Sequence, residues 1–259
     1  MRTRSTVTPR SGAFMALKVG VLGAAGRMGS EVCRAVDADN ELELVARVTH
    51  DDDRNWLRDS GAEVAVEFTV PECVKDNVVF CIESGIPVVV GATGLTGADL
   101  EELAALSEKH AVPVFVAPNF AVGAVLMMKF ASEAARYFET AEIVERHHEN
   151  KLDAPSGTAL RTASLMNDLR GRPWSTPEAG TMSLEGSRGG DVEGIRIHSL
   201  RLPGSVAHQE VILGGPGETL TIKHDSLDRS SFMPGVLLAV KRIPHLSGVT
   251  VGLEHLLKS

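Results

Sequence analysis

Aromatic residues are scarce in this chain of 259 residues: two Trp, one Tyr and eight Phe, 4% of the whole. The core therefore has to be assembled mainly from Val, Leu, Ala and Ile. Cysteine is scarcer still. Cys33, Cys73 and Cys81 form no Cys-x-x-Cys pair, and the odd count leaves one thiol over in any disulfide scheme. Cys33 and Cys81 fall in apolar helical patterns and are expected to be buried, inert thiols. A reducing cytoplasm fits best. Positive charge is also short, with 26 Lys and Arg against 34 Asp and Glu, a net charge of -8. That balance argues against nucleic-acid binding, where a basic face is the expected footprint. It leaves room for a local basic pocket facing an anionic substrate. Long apolar runs are missing too. The longest candidate, Phe115 to Met128, contains Pro118 and Asn119 and stops at Lys129, so no membrane span is expected.

What is present is ordinary for a globular protein: 43% hydrophobic and 23% charged residues, enough for one large or two modest domains. Residues 1–16 carry Arg2, Arg4 and Arg10, no acid and no apolar stretch of the secretory kind. They read as a disordered leader, with Met15 a candidate start. A transit peptide, which has a similar composition, is the alternative reading.

From Leu17 onward short apolar strands alternate with helical patterns. Strands are expected at 17–22, 42–48, 64–68, 87–90 and 112–116, with helices at 26–36, 71–84 and 97–110. That alternation implies a parallel sheet with helices on both faces. A long apolar helix at 121–138 then leads to a strand at 141–147 and a helix at 156–169. A polar, glycine-rich stretch follows at 170–193, long enough to be a lid or to lack order. Three strands at 194–202, 205–213 and 218–224, joined by short glycine-containing turns, read as an antiparallel meander. A helix at 231–243 closes the pattern.

The fold class is therefore α/β. A Rossmann-type doubly wound parallel sheet (17–120 plus 231–259) is joined to a second α+β domain (121–230) with an open, mainly antiparallel sheet. Such a sheet needs cover on its second face, and oligomerisation is the simplest cover.

Gly23-Ala24-Ala25-Gly26-Arg27-Met28-Gly29 follows the first strand and opens the first helix. Glycines there let the backbone turn tightly and approach a pyrophosphate, and the helix N-terminus offers free N–H groups to it. An isolated motif of this kind also marks simple tight turns; the strand–turn–helix setting is what favours a dinucleotide. A ribose-binding acid is expected about 20 residues further on. Thr49 stands there instead, with Asp51, Asp52 and Asp53 just after it. Gly91-Ala92-Thr93-Gly94 and Ala117-Pro118-Asn119-Phe120 follow the fourth and fifth strands, at the carboxyl ends where open sheets bind ligands. Turn chemistry alone would account for them equally well.

The second signal is Glu145-Arg146-His147-His148-Glu149-Asn150-Lys151-Leu152-Asp153-Ala154-Pro155-Ser156-Gly157-Thr158-Ala159. Ser156 is a good N-cap, and alone it would mean a capped helix and nothing more. Beside it stand two histidines and a lysine. Histidine exchanges protons near neutrality, and lysine brings a fixed positive charge. A free helix N-terminus next to them makes a carboxylate site. Adjacent side chains on a strand face opposite ways, so His147 and His148 should not do the same job unless the strand ends there. No Cys and no helix-spaced third ligand completes the His pair, so no metal site is expected.

This block resembles the signature of the 4-hydroxy-tetrahydrodipicolinate reductase family, also called dihydrodipicolinate reductase. Gly23 to Gly29, Phe68-Thr69, Gly91 to Gly94, Ala117 to Phe120, Val206 to Glu210, His224 to Ser226 and Phe232 to Gly235 are similar to its pattern as well, so the resemblance covers the chain from Leu17 on. It implies an NAD(P)H-dependent reductase of lysine and diaminopimelate biosynthesis acting on a small cyclic dicarboxylate, a homotetramer joined through the second domain's sheets. It implies that the C-terminal segment returns to the first domain. By the same resemblance His147 and Lys151 transfer the proton, and His148, Gly157 and Thr158 bind substrate carboxylate. Gly23, Ala24, Ala25, Gly26, Arg27 and Met28 hold the pyrophosphate, Thr49 sits at the ribose position, and Gly91, Ala92, Thr93, Ala117, Pro118, Asn119 and Phe120 line the nicotinamide side. Two departures stand out: the family usually has an acid at Thr49 and Gly-Thr-Thr at Gly91-Ala92-Thr93. With no acid at Thr49, NADPH is expected to serve at least as well as NADH, although three aspartates follow. Two competing readings explain the first domain but not the segment from Lys151 to Thr158. One is another two-domain dehydrogenase acting on an amino acid; the other is a non-catalytic dinucleotide sensor.

Overall fold

A computed structural model describes residues 16–175 and 181–257. Residues 1–15 of the expected leader and residues 176–180 of the polar stretch lie outside the described residues.

The first sheet has six parallel strands in the order β11-β5-β4-β3-β1-β2. These are β1 (Leu17–Leu22), β2 (Leu42–Val48), β3 (Val64–Glu67), β4 (Val88–Val90), β5 (Val114–Val116) and β11 (Val249–Val251). Strands buried on both faces read as continuous apolar runs, and β3 and β4 are buried at every position. The helices α1 (Arg27–Asp37) and α7 (Met233–Arg242) cover one face. Val32, Val36, Val236, Ala239 and Val240 are fully buried there. On the other face α3 (Pro71–Glu83) and α4 (Gly97–His110) bury Val74, Val78, Ile82 and Leu103, together with Leu57 of the short helix α2 (Asn55–Asp59). Each such side chain contributes about 1.5–3 kcal/mol when taken fully from water. Cys33 and Cys81 are buried and Cys73 is exposed, as the apolar patterns implied for the first two.

The second sheet has the order β10-β9-β6-β8-β7. Its strands are β6 (Thr140–His147), β7 (Gly190–Val192), β8 (Ile195–Arg201), β9 (Ala207–Gly215) and β10 (Glu218–Ser226). Helices α5 (Val122–Ala134) and α6 (Gly157–Arg170) pack on its inner face. Ala131, Ala159, Ala163 and Met166 meet Ile143, Ile197, Val211 and Leu213 in that layer.

The meander expected for 194–224 is not what forms. β8 and β9 are not neighbours: β6 lies between them, parallel to β8 and antiparallel to β9. The segment 202–206 steps over the end of β6, and the Leu202 N–H donates to the His147 carbonyl at 3.0 Å. β6 therefore has both backbone edges paired, and its His147 end sits in the middle of the sheet. The other pairings, β9 with β10 and β7 with β8, are antiparallel, so the sheet is mainly antiparallel.

Candidate functional site

All the loops expected to bind the dinucleotide leave the carboxyl ends of the parallel strands. Gly23 with Ala25 to Met28, Thr49, Phe68 and Gly91 to Thr93 follow β1 to β4 in turn, around a cleft of about 860 Å³. Gly23 has φ +79°, and a Cβ there would lie 2.5 Å from the Phe68 carbonyl oxygen. A Cβ on Gly26 would lie 3.1 Å from the Gly23 carbonyl oxygen. The start of α1 has no capping side chain and no acid in its first turn. Its N–H groups at Arg27, Met28 and Gly29 have no partner among the described residues. Bare donors, a positive dipole end and a glycine cradle fit a pyrophosphate.

Thr49 is less free than its position implies. Its hydroxyl donates to Asp52 Oδ2 at 2.7 Å and its N–H to the same oxygen at 2.9 Å. Asp52 and Asp53 both line the cleft, so acids missing from the expected position return through the loop. Thr49, first of all, holds the Asp52 carboxyl below its usual range through these bonds.

A second cleft of about 730 Å³ lies alongside and shares Thr93 with the first. It brings together His147, Lys151, Gly157 and Thr158 with Pro118 and Asn119 of the loop after β5. Ser156 caps α6: its hydroxyl accepts from the Ala159 N–H at 3.2 Å. Its own N–H goes to Glu145, and the Leu160 N–H goes to the Ser156 carbonyl. The N–H groups left without a partner among the described residues are those of Gly157 and Thr158. A Cβ on Gly157 would meet nothing within 4 Å, so the approach to these donors is open. Asn119 Nδ2 donates to Thr158 Oγ1 at 3.4 Å, tying the β5 loop to the start of α6.

Lys151 is paired with Asp153 at 2.7 Å, and the lysine holds that carboxyl below its ordinary value. His147 is held by Glu145, with Nδ1 2.5 Å from Oε2. Burial pushes the imidazole below its usual pKa; the Glu145 carboxylate opposes this, and the charges of Lys151 and Arg201 reinforce it.

Several expected residues sit elsewhere. His148 follows the end of β6 half-buried and does not line the second cleft. Ala117 and Phe120 are 3% exposed and belong to the core, where the Phe120 ring lies 5.9 Å from Phe68 and 6.2 Å from Phe115. Ala24 is likewise buried in that core.

Other residues the sequence did not single out are present. Lys129 and Arg161 line the second cleft, as do Val251 at the end of β11 and Gly252 to Glu254 just after it. Arg161 lies one helical turn beyond Gly157, a spacing that was legible. Lys129 and the C-terminal segment arrive only through the tertiary fold. The cleft therefore offers Lys129, Lys151 and Arg161 against Asp153 and Glu254, a net positive lining in an acidic protein. Among the described residues no cluster of three or more His, Cys, Asp or Glu is placed to hold a metal ion.

The comparisons with known proteins cover nearly the whole chain. The family described as "Dihydrodipicolinate reductase, N-terminus" matches residues 17–120, and "Dihydrodipicolinate reductase, C-terminus" matches residues 123–257. A 4-hydroxy-tetrahydrodipicolinate reductase of Streptomyces griseus is 54% identical over 244 residues, 93% of this chain and 98% of that protein. The enzyme of the same name from Nocardia farcinica is 53% identical over 243 residues, 93% of this chain and 98% of its own. Among solved structures, a dipicolinate-bound dihydrodipicolinate reductase from Paenisporosarcina sp. TG-14 superposes with a TM-score of 0.84 at 36% identity, covering 94% of this chain and 100% of that one.

Proposed function

The chain belongs to the dihydrodipicolinate reductase family, and from that premise we propose that it reduces 4-hydroxy-tetrahydrodipicolinate to tetrahydrodipicolinate with NADH or NADPH, in lysine and diaminopimelate biosynthesis. One observation carries the reading. A cleft with two candidate proton donors, His147 and Lys151, and an open helix start at Gly157 and Thr158 meets the dinucleotide cleft at Thr93.

The bound nicotinamide supplies a hydride. The rest is done by the chain. Gly23, Gly26, Arg27 and Met28 hold the pyrophosphate through the bare start of α1, with Ala24 and Ala25 shaping the turn. Thr49 and Asp52 face the ribose. Gly91, Ala92 and Thr93 fix the nicotinamide end against Pro118 and Asn119, and Ala117 and Phe120 support that loop from the core. Gly157 and Thr158 take one substrate carboxylate on their free N–H groups, while Lys129 and Arg161 supply positive charge for the other. His148, outside the cleft lining, reaches the substrate carboxylate only if its side chain turns in from the end of β6. The 4-hydroxyl group leaves as water, and His147 or Lys151 delivers the proton that balances the hydride, a transfer worth about 10² to 10⁴ in rate.

The chain works as a homotetramer in the cytoplasm. Leu200, Leu202 and Leu220 are exposed on the second sheet and its margins, apolar surface that a second copy would cover. No helix among the described residues is long and apolar enough to cross a membrane. The test is a coupled assay in which the dicarboxylate is generated in situ. Oxidation of NADH or NADPH that depends on it supports the reading. An enzyme that ignores the dicarboxylate and oxidises an amino acid instead would replace it with the amino-acid dehydrogenase reading.

A further inference from the structure

The second sheet buries a charge cluster that the reading above leaves without a role. Glu145 is fully buried on β6, in line with Ala141 and Ile143, and an apolar residue there would simply continue the core. Both carboxylate oxygens are occupied. Arg201 on β8 donates through its two terminal nitrogens to Oε2 and Oε1, each at 2.9 Å. His147 Nδ1 lies 2.5 Å from Oε2, and the Ser156 N–H donates to Oε1 at 3.2 Å. Arg201 also donates to the Asp153 carbonyl at 2.5 Å. One buried ion pair thus touches the histidine, the Lys151–Asp153 loop and the start of α6. Buried ion pairs are a poor way to gain stability, since apolar replacements of similar shape do as well or better. The arrangement is better explained by what it orients.

Resting on the proposed roles of His147 and of the α6 start, we propose that Glu145, clamped by Arg201, is the positioning residue of this site: it fixes the His147 ring with the Nδ1 hydrogen turned inward and pins the carboxylate cradle to the same atom group, so that proton donor and substrate anchor are held as one unit. An ionised carboxylate only accepts, so Nδ1 must carry a hydrogen. Nε2 is then the nitrogen left to serve the cleft. The charged groups facing His147 are Glu145 on its own strand, Arg201 on β8, and Lys151 with Asp153 in the loop. His208 and His224 face it across a small cavity that also holds Asn119 and Thr158. Among the described residues Glu145 is the one anion hydrogen-bonded to the ring. Burial pushes the Glu145 carboxyl up, but the hydrogen bonds from Arg201, Ser199 and His147 outweigh it and keep the group ionised.

The test has two arms. In the unmodified protein, ring ¹⁵N NMR of His147, assigned by comparison with H147Q, should show the neutral tautomer protonated at Nδ1. In Glu145→Gln the side-chain amide offers its oxygen to Arg201 and turns an NH₂ donor toward Nδ1. The imidazolium then loses its partner. The alkaline limb of the kcat profile should move to lower pH, and kcat should fall about 10- to 100-fold. KM should rise as the α6 start loosens, while the Kd for NADH, measured by fluorescence, stays unchanged. A neutral His147 protonated at Nε2 in the unmodified protein overturns the proposal even if E145Q fails to fold. So does an E145Q enzyme with an unshifted pH profile and normal kcat. If the unmodified protein does not turn over the dicarboxylate, the proposed function fails, and the tautomer alone decides the role of Glu145.

Discussion

Replacing Gly29 with alanine adds one methyl group to the first turn of α1, and its surroundings set the sign of the effect. In an open helix the change would stabilise by about 1 kcal/mol, because alanine has the higher helix propensity. Here the new Cβ collides with the Gly23 carbonyl oxygen and would stand 2.7 Å from the Gly23 carbonyl carbon and 3.0 Å from the Ala24 Cα. These atoms cannot give way easily. The Gly23 and Ala24 N–H groups both donate to the Val48 carbonyl, at 2.9 and 3.1 Å, and the Gly23 carbonyl accepts from the Gly26 N–H at 2.9 Å. Overpacking against fixed backbone costs about 1–3 kcal/mol, so the fold is destabilised by roughly 0–2 kcal/mol net. The cheapest relief moves the start of α1 away from the glycine turn, which spreads the N–H groups of Arg27 and Met28. If binding must reverse that displacement and restore the full overpacking cost of about 1–3 kcal/mol, the dinucleotide Kd rises about 5- to 150-fold. Fluorescence titration with NADH and NADPH measures this, calorimetry gives the Tm, and the dicarboxylate KM at saturating cofactor serves as the control that should not change. A Gly29→Ala protein with a raised Tm and an unchanged NADH Kd would refute the cradle geometry.

Four further outcomes are expected. Lys151→Ala should cut turnover by about 10² to 10⁴ with cofactor affinity intact, because the lysine lines only the second cleft; near-normal turnover would remove it from the chemistry. Gly157→Val should raise the dicarboxylate KM while leaving the Tm in place, since the chain has room for the side chain but the ligand does not; a monocarboxylate analogue that binds as tightly as the dicarboxylate would argue against the cradle. Asp52→Asn should raise the affinity for NADPH relative to NADH, most visibly at low ionic strength, by removing a carboxylate that would repel a 2′-phosphate; an unchanged ratio would mean that Asp52 does not face the ribose. Glu145 has a folded-state pKa below its unfolded value, so it binds fewer protons when folded and its stabilisation is present above about pH 4.3. That stabilisation is lost as pH falls through the depressed folded value, and a Tm that does not fall on acidification below that point would contradict the assignment.

The parts of the protein legible in the sequence are those whose signals are local. The glycine turn after β1 announces itself because spacing, strand and helix lie within a dozen residues. His147, Lys151, Ser156, Gly157 and Thr158 lie within one short segment, so their meeting follows from a strand end feeding a capped helix. Pairing choices between distant strands carry no such signal. The segment 202–206 looks like a hairpin turn, and nothing in it says that β6 will enter between β8 and β9. β11 has three residues and no period to read, yet it completes the parallel sheet and brings Val251 to Glu254 to the substrate cleft. Arg201 and Glu145 are separated by 56 positions, and only the register of β6 on β8 brings them together. Ala117 and Phe120 show the opposite failure: a loop that fits a ligand pattern also has to be fastened to the core, and these two residues do the fastening. At Thr49 the residue type was informative but incomplete, because the loop folds Asp52 back onto its hydroxyl.

If the two clefts that share Thr93 bring a reduced nicotinamide face to face with a cyclic dicarboxylate, the hydride passes directly from one to the other. The most direct measurement is a single turnover with cofactor deuterated at the transferring position, followed by mass analysis of the product. Direct transfer gives tetrahydrodipicolinate that carries the deuterium, formed at the rate at which the reduced cofactor disappears. Product without deuterium, or cofactor oxidation without this product, would contradict it.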